Sequence, residues 1–274
     1  MRFKRVIVYT DERHDDFAGM HIRPRPIGPE YPFIRRGALW NAAAAFLYRL
    51  IATPVAWLDC FLIHGLKIEN RKALKTLRRL KTGYFLFGNH TQSAFDAFSP
   101  SMLSFPRKSY VITGPQAVSL PGLGQVVQML GAIPLPDGVE GARAFAAAVD
   151  ARIRAGAAVA IYPEAHIWPY YTGVRNFSAG SFVYPARCGV PAVAFAVTYR
   201  QRKLFKKLPP RIVLHVSEPF TADPALSERK ARLWLRDQVY AFMQEKICTP
   251  ENYAYVRYIR RTPENPAEDG PEDE

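Results

Sequence analysis

Cysteine is scarce. Cys60, Cys188 and Cys248 are scattered, with neither metal nor redox spacing. That argues against a metal-thiolate or dithiol chemistry and fits a reducing cytoplasm. A nucleotide fingerprint is also lacking, since Gly122-Leu123-Gly124 has no third glycine and no Gly-rich phosphate loop occurs. No charged-then-apolar leader is expected, because Met1 to Tyr9 is brief and runs into Asp11-Glu12-Arg13. The acids of Asp11 to Asp16 are adjacent rather than spaced to converge, so neither a metal nor an organic cofactor is expected. Long apolar runs are missing from the most apolar stretch, residues 37–66. Arg49 and Asp59 interrupt it, and its longest charge-free run is the 12 residues Gly37 to Tyr48. A crossing helix needs about 20 apolar residues. Pro54 predicts a break into two helices. The expectation is a helical pair, either soluble or lying in one leaflet, and not a transmembrane hairpin.

Positive charge is abundant. The chain of 274 residues carries 37 Lys and Arg against 24 Asp and Glu, a net charge of +13. Six of the acids fall in residues 262–274, a Pro-rich stretch without a base that is expected to be disordered. The remaining body is more basic still. It calls for an anionic partner such as an anionic membrane surface, an acidic carrier protein or a phosphorylated substrate. Nucleic acid is not expected, because no recognisable nucleic-acid module is present.

Four regions follow from composition: an N-terminal arm at 1–36, the apolar pair at 37–66, a principal domain at 67–261 and the acidic tail at 262–274. Within the third, strand-like runs alternate with helical periodicity. Strands are predicted at Gly83 to Phe87, Ser109 to Thr113, 157–162, 191–198 and 211–216. Helices are predicted at Arg71 to Arg79, Gly124 to Leu130, Val139 to Ile153 and Leu226 to Glu245. Gly156 stands where the third should stop. Alternation of this kind predicts an α/β fold, a central and mostly parallel sheet flanked by helices, with the apolar pair at its N-terminal side.

Two motifs carry chemistry. Asn89-His90, followed by Asp96, comes directly after the first strand, and Pro163-Glu164 comes directly after the strand at 157–162. Strand ends in an α/β sheet are where ligands bind. A neutral imidazole at His90 has the right chemistry to take a proton from a hydroxyl as its oxygen attacks a carbonyl. Asp96 would accept the other ring N–H and stabilise the imidazolium. Positions six apart fall on different faces of a helix, so the two meet only if His90 precedes the helix or the turn bulges. Asn89, Gln92 and Ser93 serve equally as turn and capping residues or as pocket residues. Trp168 to Tyr171 reads as a loop wall.

These residues resemble the glycerolipid acyltransferase superfamily, with four blocks at Asn89 to Asp96, Gly131 to Pro134, Tyr162 to Glu164 and Gly189 to Pro191. The resemblance implies an acyl-CoA or acyl-carrier protein donor and a lysophospholipid-type acceptor. It implies a place on the cytoplasmic face of a membrane, peripheral or monotopic. It makes His90 and Asp96 catalytic and Glu164 an acceptor-orienting residue, with His166 near the headgroup or capping its loop. This chain departs from the pattern in three ways. Five residues separate His90 from Asp96 where four are usual. Ile133 to Asp137 lacks the usual arginine of the second block. The third block reads Glu164-Ala165-His166-Ile167 rather than Glu-Gly-Thr-Arg. Arg175 is the candidate to replace one missing arginine as a phosphate contact. A catalytically weak lipid-binding protein of the same fold is the competing expectation.

Overall fold

The computed structural model describes residues 3–19 and 22–261. The acidic tail lies outside them. Seven strands form the central sheet, in the order β2-β8-β7-β3-β6-β4-β5. They are β2 (Lys67–Glu69), β3 (Tyr84–Gly88), β4 (Ser109–Thr113), β5 (Ala132–Pro134), β6 (Ala158–Ile161), β7 (Ala192–Arg200) and β8 (Arg211–Val216). β7, β3, β6, β4 and β5 run parallel, β8 runs antiparallel to β7, and β2 follows β8. This is the mostly parallel α/β sheet that the alternation predicts. A parallel sheet covered on both faces needs strands apolar on both sides. Tyr84 to Gly88 and Ala192 to Tyr199 are buried at every position.

The two sheet faces make two cores. Phe85, Phe87, Val159, Ile161, Ala192 and Ala194 face the Gly138–Arg154 helix and the Glu228–Ile247 helix, against Phe145, Val149, Leu235 and Val239. Tyr84, Leu86, Ala158, Ala160, Val193 and Phe195 pack with Leu77, Phe95 and Leu103 of the Arg71–Arg79 and Ser93–Ser104 helices. Side chains alternate along a strand, so one run of sequence feeds both layers.

Some strands escape sequence reading. β2 is three residues long. A further strand, β9 (Val256–Arg260), pairs in parallel with β1 (Arg5–Tyr9) in a separate small sheet. The N-terminal arm is thereby tied to the domain. Ile27 is fully buried in the core, and its N–H donates to Asp137.

The apolar stretch corrects the expectation of a helical pair. Residues Ala38–Ile63 form one helix of 26 residues, long and apolar enough to cross a membrane by length and composition. It is α-helical at Ala38–Phe46 and Thr53–Leu58 and π-helical at Leu47–Ala52 and Asp59–Ile63. The reading errs in taking Pro54 as a break. A wider π turn loosens the ladder ahead of the ring, and the Thr53 hydroxyl donates to the Tyr48 carbonyl at 2.7 Å. The same wide turns keep Ala44, Tyr48, Thr53, Ala56 and Cys60 on one buried stripe, at spacings of 4, 5, 3 and 4 residues. That stripe lies on the domain. Ser109 N–H donates to the Tyr48 hydroxyl at 3.1 Å, and Trp57 meets Phe105 edge to face at 5.3 Å.

Candidate active site

β3 ends at Gly88, where nothing larger fits. A Cβ there would lie 2.2 Å from Cζ of Phe195 on the neighbouring strand. The next residue continues the pairing through its side chain. The Asn89 amide donates to the Val197 carbonyl at 3.1 Å, and Val197 N–H donates to Asn89 Oδ1 at 2.8 Å. Asn89 is fully buried. It anchors the turn to β7 and does not line a pocket.

That turn presents His90 before the helix, which begins at Ser93, while Asp96 sits in the helix's first turn. The irregularity that a six-residue separation requires is therefore the turn 90–92 itself. His90 Nδ1 is 2.8 Å from Asp96 Oδ2. The same oxygen accepts the N–H groups of Thr91 and Gln92, each at 2.9 Å. One carboxylate oxygen thus gathers the ring and two backbone amides of the turn. Asp96 Oδ1 has no partner among the described residues. Burial pushes the Asp96 carboxyl above its ordinary range, opposed by the hydrogen bond and charge of His90 and by the two amides. The Asp96 side chain is 1 % exposed and the His90 side chain 17 %, so the ring forms the open end of the pair.

Two tyrosines that the sequence leaves without a role complete the mount. Tyr162 stacks on the His90 ring at 4.4 Å and 17°, and its hydroxyl donates to the Asp96 carbonyl. Tyr199 donates its hydroxyl to Thr91 Oγ1 at 2.8 Å and accepts from the Gln92 amide at 3.3 Å. Burial holds both phenols well above their ordinary value. A tyrosine in an apolar strand reads as core, and only the fold shows that its hydroxyl reaches the turn. Gln92 thus braces the turn. Ser93 is exposed at the first helical position, on the rim.

Glu164 lies elsewhere than the acceptor role predicts. Its carboxylate is buried beneath the turn, with Oε2 accepting His90 N–H at 3.2 Å and Arg175 Nη2 at 3.2 Å. Oε1 accepts Arg175 N–H at 3.1 Å. Both oxygens are occupied by protein. Burial raises the Glu164 carboxyl, against the pull of the Arg175 charge and of the two backbone amides. Arg175 is equally enclosed, with a side chain 1 % exposed. It also donates to the His166 carbonyl and packs its guanidinium over Trp168 at 5.0 Å. As a phosphate contact it is withdrawn from solvent, so the pair ties the 164–175 loop to the His90 turn. Ala165 holds φ 67 where the superfamily pattern has glycine, a left-handed backbone that costs an L-residue roughly 1–2 kcal/mol. His166 is a third exposed and faces Asp16 of the N-terminal arm at 3.7 Å. The arm closes over this loop further, since Trp168 Nε1 donates to the Asp15 carbonyl at 2.8 Å.

Of the His90–Asp96 and Glu164–Arg175 pairs, only the His90 side chain is open, at 17 % exposed. Its Nδ1 is held by Asp96, and its Nε2 has no protein partner among the described residues. A solved structure, the 1-acyl-sn-glycerophosphate (LPA) acyltransferase PlsC from Thermotoga maritima, is similar over 77 % of this chain and 96 % of that chain, at 15 % identity and a TM-score of 0.47. No curated protein matches the chain. Residues 65–198 match the family described as Acyltransferase. That span contains His90, Asp96 and Glu164.

Proposed function

We propose that the protein is an O-acyltransferase moving a fatty acyl group from a thioester, acyl-CoA or acyl-carrier protein, to a hydroxyl of a lysophospholipid or related glycerolipid. The observation that carries this is the His90–Asp96 pair, with Nδ1 fixed at 2.8 Å and Nε2 facing outward. In the tautomer that donates Nδ1–H to Asp96, Nε2 is the base. It takes the acceptor's hydroxyl proton as that oxygen attacks the thioester carbonyl. Asp96, buried and charged, stabilises the imidazolium. Collapse of the tetrahedral intermediate forms the ester and breaks the C–S bond. The thiolate then recovers the proton from Nε2–H and leaves as thiol. Tyr162 keeps the ring flat and Glu164 holds the backbone amide of His90, so both act by positioning.

The 38–63 helix supports action at a membrane surface. One stripe is fixed to the domain while Leu39, Phe46, Leu50, Val55, Leu58 and Leu62 are exposed. A helix docked along its length on a folded domain lies along one leaflet more readily than across two. We place it at the cytoplasmic face, where anionic lipid meets the basic body. The competing reading, a lipid-binding protein with little catalysis, has the enclosed Glu164 and Arg175 in its favour, since Arg175 is not open to an acceptor phosphate.

An acyl-transfer assay with labelled acyl-CoA and acyl-carrier protein against a panel of lysolipids separates the two. Transfer to acceptors with a masked phosphate or none, faster than to lysophosphatidic acid, is the expected result. Vesicle binding without transfer to any acceptor would establish the competing reading. A strong preference for lysophosphatidic acid would mean that Arg175 or another base reaches the phosphate.

A further inference from the structure

β3, β6 and β7 are parallel, so Gly88, Ile161 and Arg200 end on one edge of the sheet. His90 stands there. The loop 201–210 leaves β7 at that same edge. Its tip reads Lys203-Leu204-Phe205-Lys206-Lys207. Leu204 is 77 % exposed and Phe205 is 75 % exposed, and the three lysines are exposed with them. Phe205 adopts φ 55, which is rare for a bulky residue, and its carbonyl accepts Leu208 N–H at 3.0 Å. This tight turn holds the two apolar side chains outward.

The tip is fastened beside the end of the apolar helix. Arg202 donates from Nε to the Pro209 carbonyl at 2.6 Å and from Nη2 to the Ile63 carbonyl. Arg211, at the far side of the loop, donates to the Gly65 carbonyl at 3.3 Å. The exposed side chains of Phe61, Leu62 and Ile63 lie at this helix end. Two apolar elements from distant parts of the sequence therefore meet on the edge that carries His90, flanked by cations.

We infer that the 203–207 tip is a second membrane contact, which inserts Leu204 and Phe205 into an anionic leaflet and sets the His90 edge toward the lipid. Its lysines meet lipid phosphates while the two apolar side chains enter the acyl boundary. Among anionic partners, this pairing of a protruding Leu-Phe with flanking lysines fits a lipid interface, where apolar burial and surface charge act together. The inference rests on the reading of the 38–63 helix as membrane-attached, and its test separates the two.

Flotation of the full chain is measured with vesicles of phosphatidylcholine and of phosphatidylcholine mixed with phosphatidylglycerol. Three proteins are compared: wild type, a Leu204→Ser/Phe205→Ser variant, and a Leu50→Ser/Leu58→Ser variant of the helix. The tip variant is expected to lose about 10- to 100-fold in vesicle partition, given the worth of burying two large apolar side chains. Its turnover on a water-soluble short-chain acceptor should match wild type, while turnover on vesicle-borne acceptor falls. A Phe205→Trp variant should gain blue-shifted emission that brominated acyl chains quench, beyond the wild-type signal. Unchanged partition of the tip variant alongside a defective helix variant overturns this inference and leaves the helix reading standing. A wild type that ignores both vesicles overturns both. Loss of acyl-carrier protein binding by the tip variant, with vesicle binding intact, would make the loop a protein-docking surface and overturn the inference as well.

Discussion

The turn at 89–92 and the helix at 38–63 invert the usual arrangement in opposite senses. Around His90 the buried groups are polar: Asn89, Thr91, Asp96, Glu164 and Arg175 are all enclosed. On the helix the exposed groups are apolar, with Leu39, Leu50, Val55, Leu58 and Leu62 each at least 60 % exposed. Burying a polar group is tolerable only when it is paired, and most side-chain oxygens and nitrogens of these residues have a partner, Asp96 Oδ1 and Arg175 Nε and Nη1 excepted. Exposed apolar surface has no such internal remedy; an extended apolar patch marks an interaction site. The first region satisfies most of its polar groups internally, and the second leaves an outer apolar face for the lipid contact proposed above.

The largest effect expected breaks the first region alone. His90→Ala should lower acyl transfer by about 10²- to 10⁴-fold, the worth of a positioned base. Melting temperature and vesicle partition should stay near wild type, because the ring is on the open side of the pair and its removal leaves Asp96 bonded to two amides. Turnover within threefold of wild type, in a folded variant, would remove His90 from the mechanism.

Much of this was readable before the fold was known, and the unreadable parts share a cause. Tyr84 to Gly88, Ser109 to Thr113 and the Gly138–Arg154 helix follow from periodicity, a local property. His90 and Asp96 are six residues apart, so one strand end and one helix start suffice to anticipate their encounter. The Glu164 arrangement is different: its carboxylate reaches back 74 residues to the His90 amide. A loop residue's partner cannot be told from its neighbours in sequence, and a carboxylate beneath a site reads the same as one within it. Tyr199 reaches Thr91 over 108 residues in the same way. The 38–63 helix failed for a local reason. Proline is read as a break on the assumption of α-helical bonding, and the π turns remove that assumption.

Breaking the second region should leave chemistry intact. Leu50→Ser with Leu58→Ser removes two side chains that are exposed on the helix's outer face. Vesicle partition should fall about 10- to 100-fold, with little added sensitivity to salt, since the loss is apolar. Melting temperature should change little. Partition equal to wild type would mean that the outer face meets something other than lipid.

A smaller effect tests whether Glu164 belongs with the mount or with the substrate. Glu164→Gln keeps the shape but removes the charge that faces Arg175 and turns one of the two oxygens that accept the His90 and Arg175 N–H groups into an amide donor. Leaving a buried arginine without its counter-charge costs about 3–5 kcal/mol of stability. Well below the lowered melting temperature, kcat should fall roughly tenfold, within the range of positioning effects, while KM for donor and for acceptor changes less than threefold. A rise confined to the acceptor KM would place the carboxylate in contact with the acceptor, as the superfamily resemblance implies.

The smallest effect lies at the seam between the two regions. Lys108 donates to the Met129 carbonyl at 2.7 Å, with the rings of Tyr48, on the helix, and Tyr110 each about 5 Å from its ammonium. Burial, with Arg152 and Arg49 nearby, lowers its pKa to about 8. In the unfolded chain the group titrates near ~10.4. Between these values the folded protein has released a proton that the unfolded chain still holds, so stability rises with pH across that window. Below pH 8 both states are charged and the term is flat. Against a Lys108→Met variant, which lacks the group, wild type should therefore gain stability from pH 8 to pH 10, by no more than about 2 kcal/mol at ~1.4 kcal/mol per unit. Chemical denaturation of the two proteins at pH 7, 8, 9 and 10 measures this. A difference that stays constant would mean that the seam is open to water, and that the helix is held to the domain less closely than the Tyr48 and Ser109 contact indicates.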